Sequence, residues 1–304
     1  MSISCPHWKR NSLLFWFILG RIMFKIISNQ LIAADTYRIE IEAPLVSSKF
    51  KAGQFIVLRP LETSERIPLT IMQSDPARGT ITLIVKAIGL STRTLCSLQP
   101  GQSIPDLLGP LGHPSEIGQF GTVVIVGGGV GSAVAFAVAE ALKEAGNRIL
   151  AIIGGRDKDN VILEAEFKQI SESVIVTTDD GSYGTKGFVT TQLESLYAGG
   201  TRIDRVIAAG PLPMMKLVAE ITRPHQTPTI VSLNPIMVDG IGMCGGCRAL
   251  VDGKVVFVCV DGPEFDAHLV DFDSLMRRNI AYRDIEQQKE HACKLDAQIS
   301  EGKP

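Results

Sequence analysis

An apolar run, Thr122-Val-Val-Ile-Val126, is followed at once by Gly127-Gly-Gly-Val-Gly131. Val130, Ala133, Val134, Ala137, Val138, Ala141 and Leu142 then recur at helical spacing until Gly146. No other stretch constrains the fold as tightly. A continuous apolar run of this length reads as a strand buried on both faces of a parallel sheet. Strand, glycine loop and helix in succession make the first unit of an open α/β nucleotide-binding sheet. Arg148–Ile153, Val174–Thr177, Arg205–Ala209 and Thr229–Leu233 supply further strands, and helices fit at 162–170, 187–198 and 213–222. The parallel α/β unit is expected over residues 119–233.

Ligands of such sheets lie at the carboxyl ends of the strands. The loop Gly127, Gly128, Gly129, Val130 and Gly131 opens a helix whose unpaired N–H groups suit a pyrophosphate. It departs from the dinucleotide fingerprint, because the third glycine position is Ser132 and the second strand ends in Gly154-Gly155-Arg156, without an acid for a ribose diol. A purely structural turn is therefore an alternative for this loop alone. Arg156 points to tolerance of a 2′-phosphate. Two more loops fall on the same edge: Asp179-Asp180-Gly181-Ser-Tyr-Gly184 and Ala209-Gly210-Pro211, with Met214 just beyond. Three such loops together point to a two-part nucleotide.

Residues 23–118 carry short alternating runs, Tyr37–Glu42, Gln54–Leu58 and Thr80–Val85, punctuated by Pro44, Gly53, Pro60, Gly79, Gly89, Pro100 and Gly101. That pattern predicts a small antiparallel barrel. Arg66-Ile-Pro68-Leu69-Thr70 and Gly89-Leu-Ser91-Thr92 pair a cation and hydroxyls with a tight turn, a combination able to hold an anionic dinucleotide. Gly109-Pro-Leu-Gly112 is expected to end the barrel as a turn that can lie against a flat ring.

A third region, 234–304, opens with Met237-Val-Asp239-Gly-Ile-Gly-Met-Cys244-Gly-Gly-Cys247 and continues to Cys259. Plant-type 2Fe–2S sites use C-x4-C-x2-C and a distant fourth Cys. This loop has that spacing with Asp239 in the first position. Zinc held by the same four residues, a redox-active C-x2-C and unligated thiols remain alternatives from the residues alone. Val255–Val258 reads as a strand returning Cys259 to the loop. Residues 272–298 alternate charge and read as a solvated helix.

The bulk numbers exclude several classes. A net charge of −2 over 304 residues leaves no basic footprint for nucleic acid. Six cysteines, three of them isolated at Cys5, Cys96 and Cys293, do not make a secreted disulfide framework and suit a reducing cytoplasm. The apolar run Leu13–Leu19 is too short to span a bilayer and is broken by Arg21. Residues 1–22 are therefore expected to come from an upstream start codon and to lack a defined fold.

Together these segments resemble the iron–sulfur branch of the ferredoxin reductase-like flavoproteins. That branch includes the small subunit of NADH-dependent ferredoxin:NADP oxidoreductase, the related sulfide dehydrogenase subunit and the electron-transfer subunit of dihydroorotate dehydrogenase. The resemblance implies an antiparallel Greek-key FAD barrel, an open parallel NAD(P)-binding sheet and a small C-terminal 2Fe–2S lobe. It places the flavin motif R-x-Y-S on Ile67-Pro68-Leu69-Thr70, with the arginine displaced to Arg66. Ile84-Val85-Lys86 and Ser91-Thr92 match ribityl and pyrophosphate contacts, and Gly127–Gly131 and Gly210-Pro211 match the nicotinamide-nucleotide loops. Cys244, Cys247 and Cys259 match cluster ligands, with Asp239 as the fourth. The implied function is electron transfer between NAD(P)H, FAD and the cluster, with no side chain acting as acid or base. The implied partner is a larger catalytic flavoprotein or iron–sulfur subunit, with ferredoxin a further one, and neither membrane nor nucleic acid. The dihydroorotate enzyme's subunit, a stand-alone reductase and, from another class, a zinc-stabilised nucleotide-binding regulator are the alternatives.

Overall fold

The computed structural model describes residues 23–280. The expectations for residues 1–22 and for the charged segment beyond 280 lie outside them.

Strands β1 (Phe24–Ala33) and β2 (Thr36–Glu42) form a hairpin, and the one-turn helix α1 (Pro44–Ser47) leads to β3 (Phe55–Arg59), β4 (Ile67–Asp75) and β5 (Thr80–Lys86). Helix α2 (Leu90–Ser97) precedes β6 (Ser103–Ile104) and β7 (Asp106–Leu111). The seven strands run β6-β1-β2-β5-β4-β3-β7 with every pairing antiparallel, a Greek-key order. The two edge strands are almost consecutive in the chain, so the sheet curls on itself. Ile26, Ile39, Ile41, Ile71, Ile81 and Leu83 fill its interior. The alternation of the sequence supplies this inward face.

One expectation is corrected here. Gly109-Pro110-Leu111 is not a turn but the end of β7, because Leu108 and Leu111 pair with Val57 and Phe55 of β3. Only Gly112 turns. Pairing with a strand fifty residues away decided this, and local turn chemistry could not reveal it.

The second layer begins with β8 (Thr122–Gly128) and α3 (Gly131–Glu144), then β9 (Arg148–Gly155), α4 (Glu164–Ile170), β10 (Ser173–Thr178), β11 (Thr185–Lys186) and α5 (Val189–Ala198). It continues through β12 (Arg205–Ala209), α6 (Leu212–Thr222) and β13 (Thr229–Ser232). The strand order is β11-β10-β9-β8-β12-β13-β16. All pairs are parallel except the last, where β16 (Glu264–Asp266) runs antiparallel to β13. The sheet is thus completed by a strand from the C-terminal lobe, an edge the sequence pattern did not mark.

Between α3 and β9 stands Asn147, 3% exposed. Its Oδ1 accepts from the N–H groups of Phe120 (2.6 Å) and Gly121 (3.1 Å), and its Nδ2 donates to the carbonyls of Gly118 (2.7 Å) and Leu142 (2.8 Å). One side chain therefore serves four backbone groups at the entrance to the sheet. Asn147→Ala would orphan buried donors and acceptors and lower stability by roughly 2–4 kcal/mol. Thermal melting checks this, and an unchanged midpoint would contradict it.

The lobe holds a hairpin, β14 (Arg248–Val251) and β15 (Lys254–Phe257), the one-turn helix α7 (Val258–Asp261), β16 and α8 (Phe272–Asn279). Cys259 lies on α7 and not at the end of a strand, a second correction: after Phe257 the chain turns, and the Asp261 carboxylate accepts from Phe257 N–H (2.6 Å). Helix α8 is also not simply solvated, since Phe272 and Leu275 are buried in the core that continues into the sheet.

The barrel and the sheet are joined by polar contacts. Gln73 Nε2 donates to Glu140 Oε1 (2.9 Å), Lys86 Nζ to Asn160 Oδ1 (2.6 Å), and Ser115 Oγ to Glu264 Oε1 (2.7 Å). Arg38 pairs with Glu166, and Ala34 N–H donates to the Asp159 carbonyl. Met72 and Ile84 of the barrel belong to the same core as Phe136 and Val138 of α3.

Candidate functional site: a dinucleotide cleft and a cysteine lobe

At the carboxyl edge of the sheet the order β9-β8-β12 places the Gly127–Gly131 loop beside Gly210-Pro211. The approach is too close for side chains. A Cβ on Gly131 would stand 2.4 Å from the Ala209 carbonyl oxygen, and one on Gly128 would meet Met214 Sδ at 2.5 Å. Glycine here lets α3 start against β12, while Gly129 faces open space. The first turn of α3 has no side-chain cap; Ser132 and Ala133 N–H donate to the Gly129 and Val130 carbonyls, and the Val130 and Gly131 N–H groups ahead of them suit an anion. This cradle fits a nucleotide diphosphate.

The neighbouring loops are tied together. Asp179 N–H and Asp180 N–H donate to the carbonyls of Gly155 and Arg156, both at 3.2 Å. Asp180 accepts from Ser182 N–H (2.9 Å) and Oγ (2.7 Å), which hold its carboxyl below the ordinary range. Its side chain is therefore taken up in shaping the loop, with Gly181 packed over Lys186. Arg156 is exposed at the end of β9.

On the barrel, Pro68, Leu69 and Thr70 lie half-buried along β4; Pro68 and Thr70 share one face, while Leu69 points the other way and packs against the barrel core. Arg66 is engaged elsewhere: its Nε and Nη2 donate to Asp106 Oδ2 at 3.0 and 2.7 Å, and Arg59 joins the same carboxylate at 3.4 Å. Lys86 is likewise held by Asn160. The start of α2 has Gly89 facing open space, Ser91 buried, and Thr92 Oγ1 accepting from the Ile88 and Gly89 N–H groups at 3.0 Å. Ile84 and Val85 are buried in β5, Val85 in the barrel core and Ile84 in the core shared with α3, and neither faces solvent.

In the lobe, Cys247 (1% exposed) and Cys259 (2%) place their sulfurs 3.3 Å apart. Cys244 is exposed, and its sulfur accepts from Gly246 N–H. Asp239 accepts from Ile241 N–H (3.0 Å) and Cys244 N–H (2.5 Å). Burial pushes its carboxyl up, but these N–H groups outweigh that and hold it below the usual range. Burial, and after it Cys247, pushes the Cys259 thiol up to about 12. The sequence thus predicted four donors in one cage, whereas the structure brings two thiols together and folds the Asp239 carboxylate into its own turn. Among the described residues no three donors converge as a metal site. The donor chemistry still fits an iron–sulfur group, since two buried free thiols stand in contact with no disulfide between them, and the exposed Cys244 lies three residues before the first. Gly240 keeps this loop close to the barrel: a Cβ there would stand 2.7 Å from Leu111 and 2.9 Å from Val57.

Two features of the site escaped the sequence. Gln73 and Glu140 face each other between the two layers. A cleft of about 220 Å³ opens beside α3, lined by His113, Glu116, Arg205 and Glu264, and none of the glycine loops borders it. Burial pushes the Glu264 carboxyl up there, against the pull of Ser115 and Arg205.

Comparison with known proteins matches residues 234–271 to the iron–sulfur cluster binding domain of dihydroorotate dehydrogenase B. A Thermotoga maritima protein, a dihydroorotate dehydrogenase B (NAD(+)) electron transfer subunit homolog, is 46% identical over 88% of this chain and 94% of its own. The electron transfer subunit of that enzyme from Geobacillus thermodenitrificans is 34% identical over 82% of this chain and 98% of its own. Among solved structures, a chain of the NADH-dependent reduced ferredoxin-NADP oxidoreductase, studied for flavin-based electron bifurcation, superposes with a TM-score of 0.83. It is 44% identical, over 89% of this chain and 99% of that one. A Neisseria gonorrhoeae ferredoxin NADP+ reductase with bound FAD and NADP, 17% identical with a TM-score of 0.53 over 67% of this chain and 90% of that one, shares the fold. The chain belongs to the family of dihydroorotate dehydrogenase B electron-transfer subunits and their homologues.

Proposed function

We propose that this chain is the electron-transfer subunit of a flavin and iron–sulfur oxidoreductase of the ferredoxin:NADP oxidoreductase or sulfide dehydrogenase type. The carrying observation is one continuous core in which Phe55 and Val57 of the barrel, Val126 and Ala208 of the sheet, and Cys247 and Cys259 of the lobe pack together. The three prospective cofactor sites are thereby held in one body. The cofactors supply hydride and single-electron chemistry, and the protein binds and orients them.

The Gly127–Gly131 loop and Gly210-Pro211 hold the nucleotide diphosphate by backbone N–H groups and close approach. Arg156 and the Asp180-Gly181 turn border its adenosine end, with Met214 packed behind the loop. Pro68 and Thr70 share the face of β4 turned to the flavin ring, with Leu69 packed behind them in the barrel core, and Gly89, Ser91 and Thr92 open the helix toward its diphosphate. The region of Gly109 and Gly112 borders the ring where the barrel meets the lobe. Arg66, bound to Asp106, contributes to barrel structure and leaves the phosphate to backbone groups. Cys244, Cys247, Cys259 and Asp239 hold the cluster. The domains divide at about 118 and 233, with the lobe lending β16 to the sheet. Among the described residues no helix is long and apolar enough to cross a membrane, and the free thiols suit a reducing cytoplasm.

Val238, Ile241, Met243 and Val260 stand exposed around the cluster loop, Met243 at 80%. An apolar patch beside a relay site marks where a larger subunit docks. Met243→Asp is expected to weaken that association by about tenfold or more. Co-purification of the larger subunit from the source cell reads this out, and undiminished recovery speaks against the patch.

Anaerobic purification tests the whole reading. The expected protein is yellow-brown, carries FAD and iron, and is bleached by NADH or NADPH. Colourless protein containing zinc would overturn it.

A further inference from the structure

The strand that carries Pro68–Thr70 and the helix opened by Gly131 are directly bonded to each other. Strand β4 has a register irregularity against β5 between Ile71 and Gln73. A bulge of this kind re-aims side chains, and here two consecutive residues leave the barrel toward α3. Met72, 2% exposed, enters the core beside Phe136 and Ala139, and Gln73 Nε2 reaches Glu140 Oε1 at 2.9 Å. The other polar ties between the layers attach elsewhere: Arg38 and Lys86 reach Glu166 and Asn160, and Ser115 reaches Glu264.

We propose that Gln73 and Glu140 are positioning residues that set the distance between the flavin ring and the nicotinamide for hydride transfer. The proposal rests on the dinucleotide reading above. Gln73 follows Thr70 by three residues, about 10 Å of strand, and Glu140 follows Gly131 by nine, about 13 Å of helix. The contact is therefore a fulcrum remote from both cofactor motifs. A tilt of α3 by about 5° around it displaces the glycine loop by about 1 Å, a misplacement sufficient to slow a transfer step strongly. Met72 supplies bulk contact at the same place but no direction, whereas the hydrogen bond fixes the angle. Neither residue touches a reacting atom.

The test uses the FAD-loaded full chain and three forms: Gln73→Met, Glu140→Leu, and the exchange Gln73→Glu with Glu140→Gln, which rebuilds the bond with its donor and acceptor reversed. Stopped-flow absorbance gives the limiting rate of flavin reduction by NADH and by NADPH, together with nucleotide affinity. The long-wavelength charge-transfer band reports ring contact independently of turnover. Each single variant is expected to lower the limiting rate at saturating nucleotide by about tenfold, to lose the band and to weaken nucleotide binding, and the exchange to recover all three. Wild-type flavin that neither nucleotide reduces would defeat the proposed function itself, and the positioning role with it. Wild-type reduction with unchanged rate and band in the single variants would defeat only the positioning role. An exchange variant as slow as the singles, or loss of FAD from all three forms, would assign the pair to folding and overturn the proposal.

Discussion

Cys259→Ser is expected to empty the lobe of iron while leaving FAD in place. The sulfur of Cys259 lies 3.3 Å from that of Cys247, and both side chains are buried. Without a metal this pair is unfavourable to ionise, since burial has already raised the Cys259 thiol to about 12. A bound cluster supplies the positive charge that makes the thiolates stable, and binding then releases their protons. Serine offers a harder, far less acidic donor in the same buried position. Iron content should fall by roughly tenfold or more, because replacing even an outer partner of a metal ligand lowers affinity 10–100-fold. Iron assay and visible absorbance of anaerobically loaded protein check this. The flavin contacts proposed above belong to the barrel, so the FAD ratio and the rate of flavin reduction should hold. Full iron in the variant would remove Cys259 from the ligand set.

Gly131→Ala should weaken NAD(P)H binding by about tenfold and lower stability as well. The added Cβ would stand 2.4 Å from the Ala209 carbonyl oxygen and 2.6 Å from Gly210 Cα. Both neighbours are backbone, so no side chain can rotate away, and α3 must retreat from β12. Overpacking of this kind costs about 1–3 kcal/mol, or a few degrees in melting temperature. The nucleotide loses more than stability accounts for, because the first N–H groups of α3 move with the helix and no longer converge on the diphosphate. Titration with NADH and thermal melting separate the two effects. Affinity unchanged alongside a lowered midpoint would make the glycine purely a packing requirement.

Much of this fold is legible in the sequence. The run Thr122–Val126 became β8, and the second and fourth strands start where the periodicity placed them, at Arg148 and Arg205. The three glycine loops lie on one edge, because parallel strands with helical crossovers all end on the same side. The cysteine spacing also placed Cys247 and Cys259 together, although through a helical turn.

What remained hidden depends on partners distant in sequence. Nothing near Arg66 announces Asp106, forty residues on, yet that carboxylate decides that the arginine is a barrel strut. Strand β16 becomes one only because β13 lacks a neighbour, and Gly109–Leu111 becomes extended only because β3 lies beside it. Asp239 reads as a ligand by spacing, and the spacing does not show that its own loop also presents N–H groups to its carboxylate. Local pattern, which records propensity and which face is apolar, therefore determined the elements, the order of the barrel, sheet and lobe, and the chemistry that each loop carries. Tertiary structure alone decided which charged and polar side chains were already occupied and how the flavin-motif strand meets the nucleotide helix. Those outcomes follow from hydrogen bonds and core contacts between segments tens of residues apart, and a one-dimensional pattern does not encode such pairings.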